Sequence, residues 1–565
     1  MLSGFKTLII LGLAGQAESK NLGCYYGVWA YTKPGMGEFW PEDIDVSLCD
    51  EIYYGFGNIL NDTFEVCSWD PWFDMDMSLD SQDLSIMNCI RERDGIKWPP
   101  GCLTDAGLEY CHHNGMRRTI ALKERNPDLK VLFSVGGWTA GGLAFSNMAQ
   151  TEATRRSFIR SAVHFLNHFG FDGMDLDWEY PALDMYTLLP TDPDDKFHFT
   201  ALMKEIHEEF QKEGLLLTFA AAADPIKAAN AYELAEVVKY VDWINLMSYD
   251  YGGYWDNFTG IDAPLYGRWE ENFEGHPHFK FNIHSSIQYY LDEGVPPNQL
   301  ALGLHTEAKG FVLHNETEAG IYCPASGCPN MTFSSQEGWL NYYEVLQFFY
   351  NDTITSEHYT HLSPGYENWE HFTDGCYMSP YAYQKDIWIS YDDEVSIDIK
   401  ARYANHYNLK GAFIWEIDTD NFMGKWGKRP FTIANAINDA LISGNGLADN
   451  EIFGEPGENS ACKPQAQLCN PTDATIPTMP TAPPKTTTPM QPTTTSAAHN
   501  CNDVGCQADG DLKPYPDDCH RYYKCVFESD GNCHLETHTC GTMWFDPWTF
   551  SCGWEPLPGQ NHLCK

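Results

Sequence analysis

A chain of 565 residues, 43% hydrophobic and 20% charged, is long enough for more than one domain and too apolar to be disordered throughout. Its 79 acidic residues against 35 basic ones give a formal net charge of −44. Such a surface repels phosphate backbones and anionic lipid, which argues against nucleic-acid and membrane partners, although the same acidity also serves solubility.

Residues 1–17 carry one cation, Lys6, then the apolar run Thr7–Ala14 and the small-residue stretch Gly15-Gln16-Ala17. This pattern predicts a secretory signal peptide, too short to span a bilayer. No later stretch of the sequence is long and apolar enough to span, so the expected location is extracellular. In an oxidising compartment the 19 cysteines read as disulfide partners rather than metal thiolates. The sequons at Asn61, Asn257, Asn315, Asn330 and Asn351 are glycosylation candidates.

Residues 21–445 show short apolar runs that predict eight strands: 24–29, 51–58, 130–136, 173–179, 215–221, 243–249, 299–304 and 411–416. Helical patterns separate several of them. In 156–169, Phe158, Ala162, Phe165 and Phe169 fall on one face at spacings of three and four. Eight strands with intervening helices predict an α/β fold, a (β/α)8 TIM barrel. The stretch at about 305–390 is too long for one strand–helix unit and reads as an inserted α+β subdomain.

The segment Phe171–Pro181 is the most informative. In an extended strand side chains alternate faces, so Asp175, Asp177 and Glu179 share one side and Met174, Leu176 and Trp178 the other. With the apolar side under the helices, three carboxylates face the barrel interior. Like charges crowded in a low dielectric cannot all ionise, so at least one pKa rises. A carboxyl group protonated near neutral pH is what a general acid requires, and Glu179 stands at the carboxyl end of its strand, where barrel active sites form. The bland alternatives are an exposed edge strand, opposed by the flanking Gly, Trp and Tyr, and a calcium site, opposed by the lack of a loop-like glycine pattern.

Beyond the barrel, residues 470–500 alternate Thr and Pro with almost no charge and no aromatics. They predict an extended, O-glycosylated linker. Residues 501–565 hold eight cysteines, the density of a small disulfide-rich β module. Eleven cysteines precede the linker, an odd number, so one of them is either free or paired across modules.

The pattern Asp172-x-x-Asp175-x-Asp177-x-Glu179 resembles the signature of glycoside hydrolase family 18, the chitinases and chitinase-like lectins. Four further segments are similar in matching order: 24–29, Ser134–Trp138, Met247–Asp250 and Phe413–Asp418. The resemblance implies a chitinase in which the substrate's own N-acetyl group attacks the anomeric carbon. Glu179 would protonate the glycosidic oxygen, Asp177 would bind the acetamido nitrogen, and Asp175 would tune Asp177 by sharing a proton, while Asp172 would be structural. Tyr249, Asp250 and Met247 match the acetamido pocket and Trp415 the floor beneath the sugar. Trp29, Trp138 and Trp255 match cleft positions; Tyr25 and Phe56 match inward positions better read as core. Where family members often carry Tyr-Gly-Arg this chain has Glu307-Ala308-Lys309, which offers a point charge but no bidentate fork. A disulfide is also expected at Cys24 and Cys49.

Residues 501–565 resemble the peritrophin-A type of chitin-binding domain, carbohydrate-binding module family 14. That resemblance implies the pairs Cys506–Cys525, Cys519–Cys564 and Cys540–Cys552. The expected partners are therefore chitin and N-acetylglucosamine oligomers, bound by a monomer without cofactor or metal, with endo action favoured. The rivals are a non-catalytic chitin-binding lectin on the same fold, which typically lacks the glutamate, and an endoglycosidase of N-glycan cores, which the chitin-binding module argues against.

Overall fold

The computed structural model describes residues 21–75, 113–185, 191–326, 338–350 and 362–452, apart from a few positions at 269–277, 364 and 449–450, and the backbone of five short strands between 512 and 553. The expected signal peptide, linker and C-terminal cysteine pairs, together with Asn330 and Asn351, lie outside the described residues or their described side chains. Asn61, Asn257 and Asn315 are exposed.

All eight expected segments are strands of one sheet. They are β1 Asn21–Gly27, β2 Glu51–Ile59, β3 Lys130–Gly136, β4 Gly173–Asp177, β5 Leu216–Ala222, β6 Trp243–Met247, β7 Leu300–His305 and β8 Gly411–Trp415. Each pairs in parallel with the next, and β1 pairs with both β2 and β8, Cys24 lying opposite Ile52 on one side and Ile414 on the other. The sheet is thus a closed (β/α)8 barrel. The observed β4 stops at Asp177, so Glu179 stands beyond the ladder, on the rim.

The strands are buried on both faces, as a barrel wall covered by helices must be. Met174, Leu176 and Trp178 join the large core between wall and helices. Tyr25, Tyr53, Leu132, Trp243, Ala301 and Phe413 fill the barrel interior. The helix Glu152–Phe169 buries the four residues expected on its inner face. Thr151 caps it by accepting the Thr154 N–H, and Gly170, in the left-handed region, ends it with an N–H bond to the Leu166 carbonyl. Each such core side chain contributes about 1.5–3 kcal/mol of apolar burial.

Between β7 and β8 lies the insertion. Glu307–Leu313 starts an antiparallel sheet with Ile387–Ser390, Ser379–Gln384 and Glu370–Asp374, and Trp339–Asn341 pairs on its other side before the helix Tyr342–Tyr350. This is the expected α+β subdomain. Lys309 sits opposite Ser390 on one neighbour and Trp339 on the other.

A disulfide joins Cys24 of β1 to Cys49, just before β2, and Cys323 and Cys376 are also disulfide-bonded. Among the described residues Cys67 is a free, buried thiol. The five short strands between 512 and 553 form an antiparallel three-stranded sheet and a two-stranded one. No described helix is long and apolar enough to cross a membrane.

Candidate active site

The alternation along β4 carries its three acids to the inside. Asp175, Asp177 and Glu179 are 0%, 4% and 8% exposed, and their settings differ. Asp175 is held by donors from four other strands: the Tyr25 hydroxyl at 2.8 Å, Ser134 Oγ at 2.8 Å, Thr218 Oγ1 at 2.7 Å and Asn245 Nδ2 at 3.2 Å. Burial raises its pKa, and these donors pull against the rise. Asp177 has no hydrogen bond at Oδ1. Burial, then the charges of Glu179 and Asp175, push its pKa well up. Both Asp175 oxygens are thus engaged by these four donors.

Glu179 is pushed up to about 7. Burial is the main cause and the charge of Asp250 adds to it, while a hydrogen bond with Tyr180 and the charge of Lys227 oppose it. Asp172, at the foot of the strand, accepts the Val131 N–H at 2.8 Å and pairs with Lys123; its place is structural.

The walls around these acids are aromatic. Trp415, the last residue of β8, meets Tyr25 edge-on at 5.5 Å, stacks with Phe56 at 5.7 Å and lies 6.2 Å from Trp29. Tyr25 and Phe56 are buried. The Trp29 indole donates to Glu416 Oε1 at 3.3 Å. Met247, Tyr249 and Trp415 all pack on the interior cluster. Trp138 and Trp255 are 50% and 48% exposed, and Trp255 lies 6.2 Å from Trp339 of the insertion. The structure thus brings Glu179, Asp177, Asp175, Tyr249, Asp250, Met247, Trp415 and Trp29 around one end of the barrel and leaves Trp138 and Trp255 as solvent-facing aromatics.

Asp250 sits in the left-handed region at φ 60°, with its side chain 40% exposed and 2.8 Å from the buried Lys309 ammonium. Burial would lower the Lys309 pKa, but the charges of Asp250, Asp262 and Glu307 hold it above its usual value. Lys309 also lies 3.1 Å from the Trp339 ring centroid. Lys309, itself on the first strand of the insertion, thus joins Asp250 to Trp339.

Several charged residues here were not singled out from the sequence. Glu416, held up to about 8 chiefly by burial and by Asp418, pairs with Lys33 at 3.2 Å. Asp262 and His305 form a buried pair at 2.7 Å. The adjoining acids of Phe413–Asp418 were the only signal for the first group. Among the described residues, Asp250, Asp262 and His305 bring ligand atoms within 4.8 Å of one another and could hold a cation. The Lys309 ammonium, 2.8 Å from Asp250 and 3.9 Å from Asp262, supplies positive charge at that place.

Comparison with known proteins agrees with this arrangement. The model of the glycosyl hydrolases family 18 matches residues 21–420. A probable chitinase 10 of Drosophila melanogaster is 28% identical over 429 residues, which cover 75% of this chain but 16% of that much longer protein. The crystal structure of Ostrinia furnacalis Group IV chitinase in complex with allosamidin is 31% identical, with a TM-score of 0.62 over 75% of this chain and 100% of that one. Human YKL-39, described as a pseudo-chitinase with retained chitooligosaccharide binding, is 28% identical, with a TM-score of 0.60 over 75% of this chain and 100% of its own. A closed barrel, a strand of alternating inward acids and a family match across 21–420 lead to one assignment: the chain belongs to glycosyl hydrolases family 18.

Proposed function

We propose that the chain is a secreted chitinase that cleaves β-1,4 links between N-acetylglucosamine units with retention of configuration, by participation of the substrate's acetamido group. The observation that carries this reading is Glu179, a carboxyl group held near 7 on the rim of β4, with Asp177 buried behind it and the aromatic floor of Trp415 nearby.

In this reading protonated Glu179 gives its proton to the glycosidic oxygen as the link to the leaving sugar breaks. The acetamido carbonyl oxygen closes on the anomeric carbon, forming an oxazolinium ion on the same sugar. Asp177 accepts the acetamido N–H and balances the developing positive charge, while Tyr249 and Asp250 hold the group in line. The Glu179 carboxylate then takes a proton from water, whose oxygen adds to the anomeric carbon and reopens the ring. Two inversions give net retention, and Glu179 ends as it began.

Residues 1–17 would export the enzyme. Residues 501–565 would bind chitin, and the linker at 470–500 would tether that module to the barrel of residues 21–445, raising the enzyme's local concentration on an insoluble surface. The test is release of N,N'-diacetylchitobiose from colloidal chitin by the wild-type chain, abolished in Glu179→Gln with chitin binding retained. An inactive wild type that still binds chitin would make the chain a lectin instead.

A further inference from the structure

The residues proposed to grip the acetamido group, Tyr249 and Asp250, rest on a buried group that the reaction scheme leaves unused. Asp262 is 1% exposed. Its Oδ1 accepts the Asp250 N–H at 3.0 Å, and its Oδ2 lies 2.7 Å from His305 Nε2 and 3.9 Å from Lys309 Nζ. Its own backbone is fixed separately: its N–H donates to Ser390 Oγ at 3.0 Å and its carbonyl accepts the Tyr251 N–H at 2.9 Å. His305 is 2% exposed, and the Tyr249 ring lies flat on it, 5.3 Å between centroids and 13° between planes. One carboxylate therefore touches the backbone of Asp250, the imidazole beneath Tyr249 and the edge of the ammonium that pins the Asp250 side chain.

We infer that Asp262 is a positioning residue for the hydrolytic reaction, setting Tyr249 through His305 and Asp250 through its N–H bond and Lys309. The inference rests on the chitinase reading above. Asp250 has a left-handed backbone, a strained conformation that persists only where neighbours hold it. The Asp262 carboxylate does so directly, one oxygen accepting the Asp250 N–H and the other facing His305 and Lys309. Intramolecular attack by an acetamido oxygen depends steeply on alignment, so a displacement of about 1 Å costs roughly a hundredfold in rate. A slack hub would therefore slow the chemical step more than it would weaken binding of the rest of the oligomer.

The experiment measures kcat and KM of the full-length chain on the N-acetylglucosamine tetramer for wild type, Asp262→Asn, His305→Gln, Lys309→Met and Lys309→Arg, with thermal melting of each. Asp262→Asn keeps the shape and an acceptor for the Asp250 N–H but removes the charge. The expected result is a fall in kcat of at least about tenfold, with KM within about twofold. Lys309→Met should fall similarly and Lys309→Arg should recover part of that loss, a rescue that a purely structural role would not produce. A folded Asp262→Asn with wild-type kcat, or with a loss confined to KM, overturns the inference. If Asp262→Asn does not fold, His305→Gln, which leaves the bond to Asp250 in place, decides by the same criteria. An inactive wild type would instead fail the chitinase reading, and the two failures are thereby distinct.

Discussion

A carboxyl group held near 7 has opposite consequences for rate and for stability. In the proposed reaction Glu179 donates a proton, so kcat should fall on the alkaline side as pH rises through about 7. A pH–rate profile on a soluble oligomer checks this. For stability, the folded state binds the Glu179 proton more tightly than the unfolded chain, whose value is near 4.5. Between those two pH values the native state holds more protons, so this site's contribution is intact below about 4.5 and is lost as pH rises toward 7. Glu179→Gln should remove that loss, leaving the variant inactive yet more stable than wild type at pH 8, by at most roughly 3 kcal/mol. Urea unfolding of both proteins at pH 5 and pH 8 checks it, and an equal difference at the two pH values would refute the argument. The inward row of acids could be read from their alternation. How each acid settles could not, because the donors to Asp175 come from Tyr25, Ser134, Thr218 and Asn245, brought together only by closure of the barrel.

At the scale of an element, β3 and β4 meet so closely at their carboxyl ends that one position admits no side chain. Gly136 has φ of +126°, and a Cβ there would lie 1.9 Å from the Asp177 carbonyl oxygen. Gly136→Ala should therefore push the acid-bearing strand outward, with a loss of at least about 2 kcal/mol and a matching fall in activity. Thermal melting and chitotetraose hydrolysis measured together check it; a stable, active Gly136→Ala would show that the strand end yields. Strand identity was legible in the sequence because buried runs of four to eight residues stand out between helices. Strand ends were less so: the run 173–179 carries on past the last ladder bond, and the side-chain pattern cannot show where pairing stops. The insertion betrayed itself by length, whereas the pairing of Lys309 with Ser390 and Trp339 is antiparallel and distant in sequence. That is why the departure at Glu307-Ala308-Lys309 was visible but its partners Asp250, Asp262 and Trp339 were not.

For the whole molecule, the Cys24–Cys49 bond closes a loop with a sequence separation of 25, and the chain-entropy account makes such a link worth about 3 kcal/mol. Cys24→Ala/Cys49→Ala should lose roughly that much in equilibrium unfolding while keeping its chemistry, since neither cysteine meets the acids. The barrel seam has a further consequence. β1 is bonded on one side to β2 and on the other to β8, whose first residue, Gly411, faces Asn21. During synthesis at about 5–20 residues per second, the earliest wall segment waits tens of seconds for its second neighbour, presenting unpaired amides and apolar side chains meanwhile. Chains stopped short of Gly411 should sediment as aggregates where the completed polypeptide stays in the supernatant, so that a nascent copy of this protein leans on chaperones until its final stave arrives.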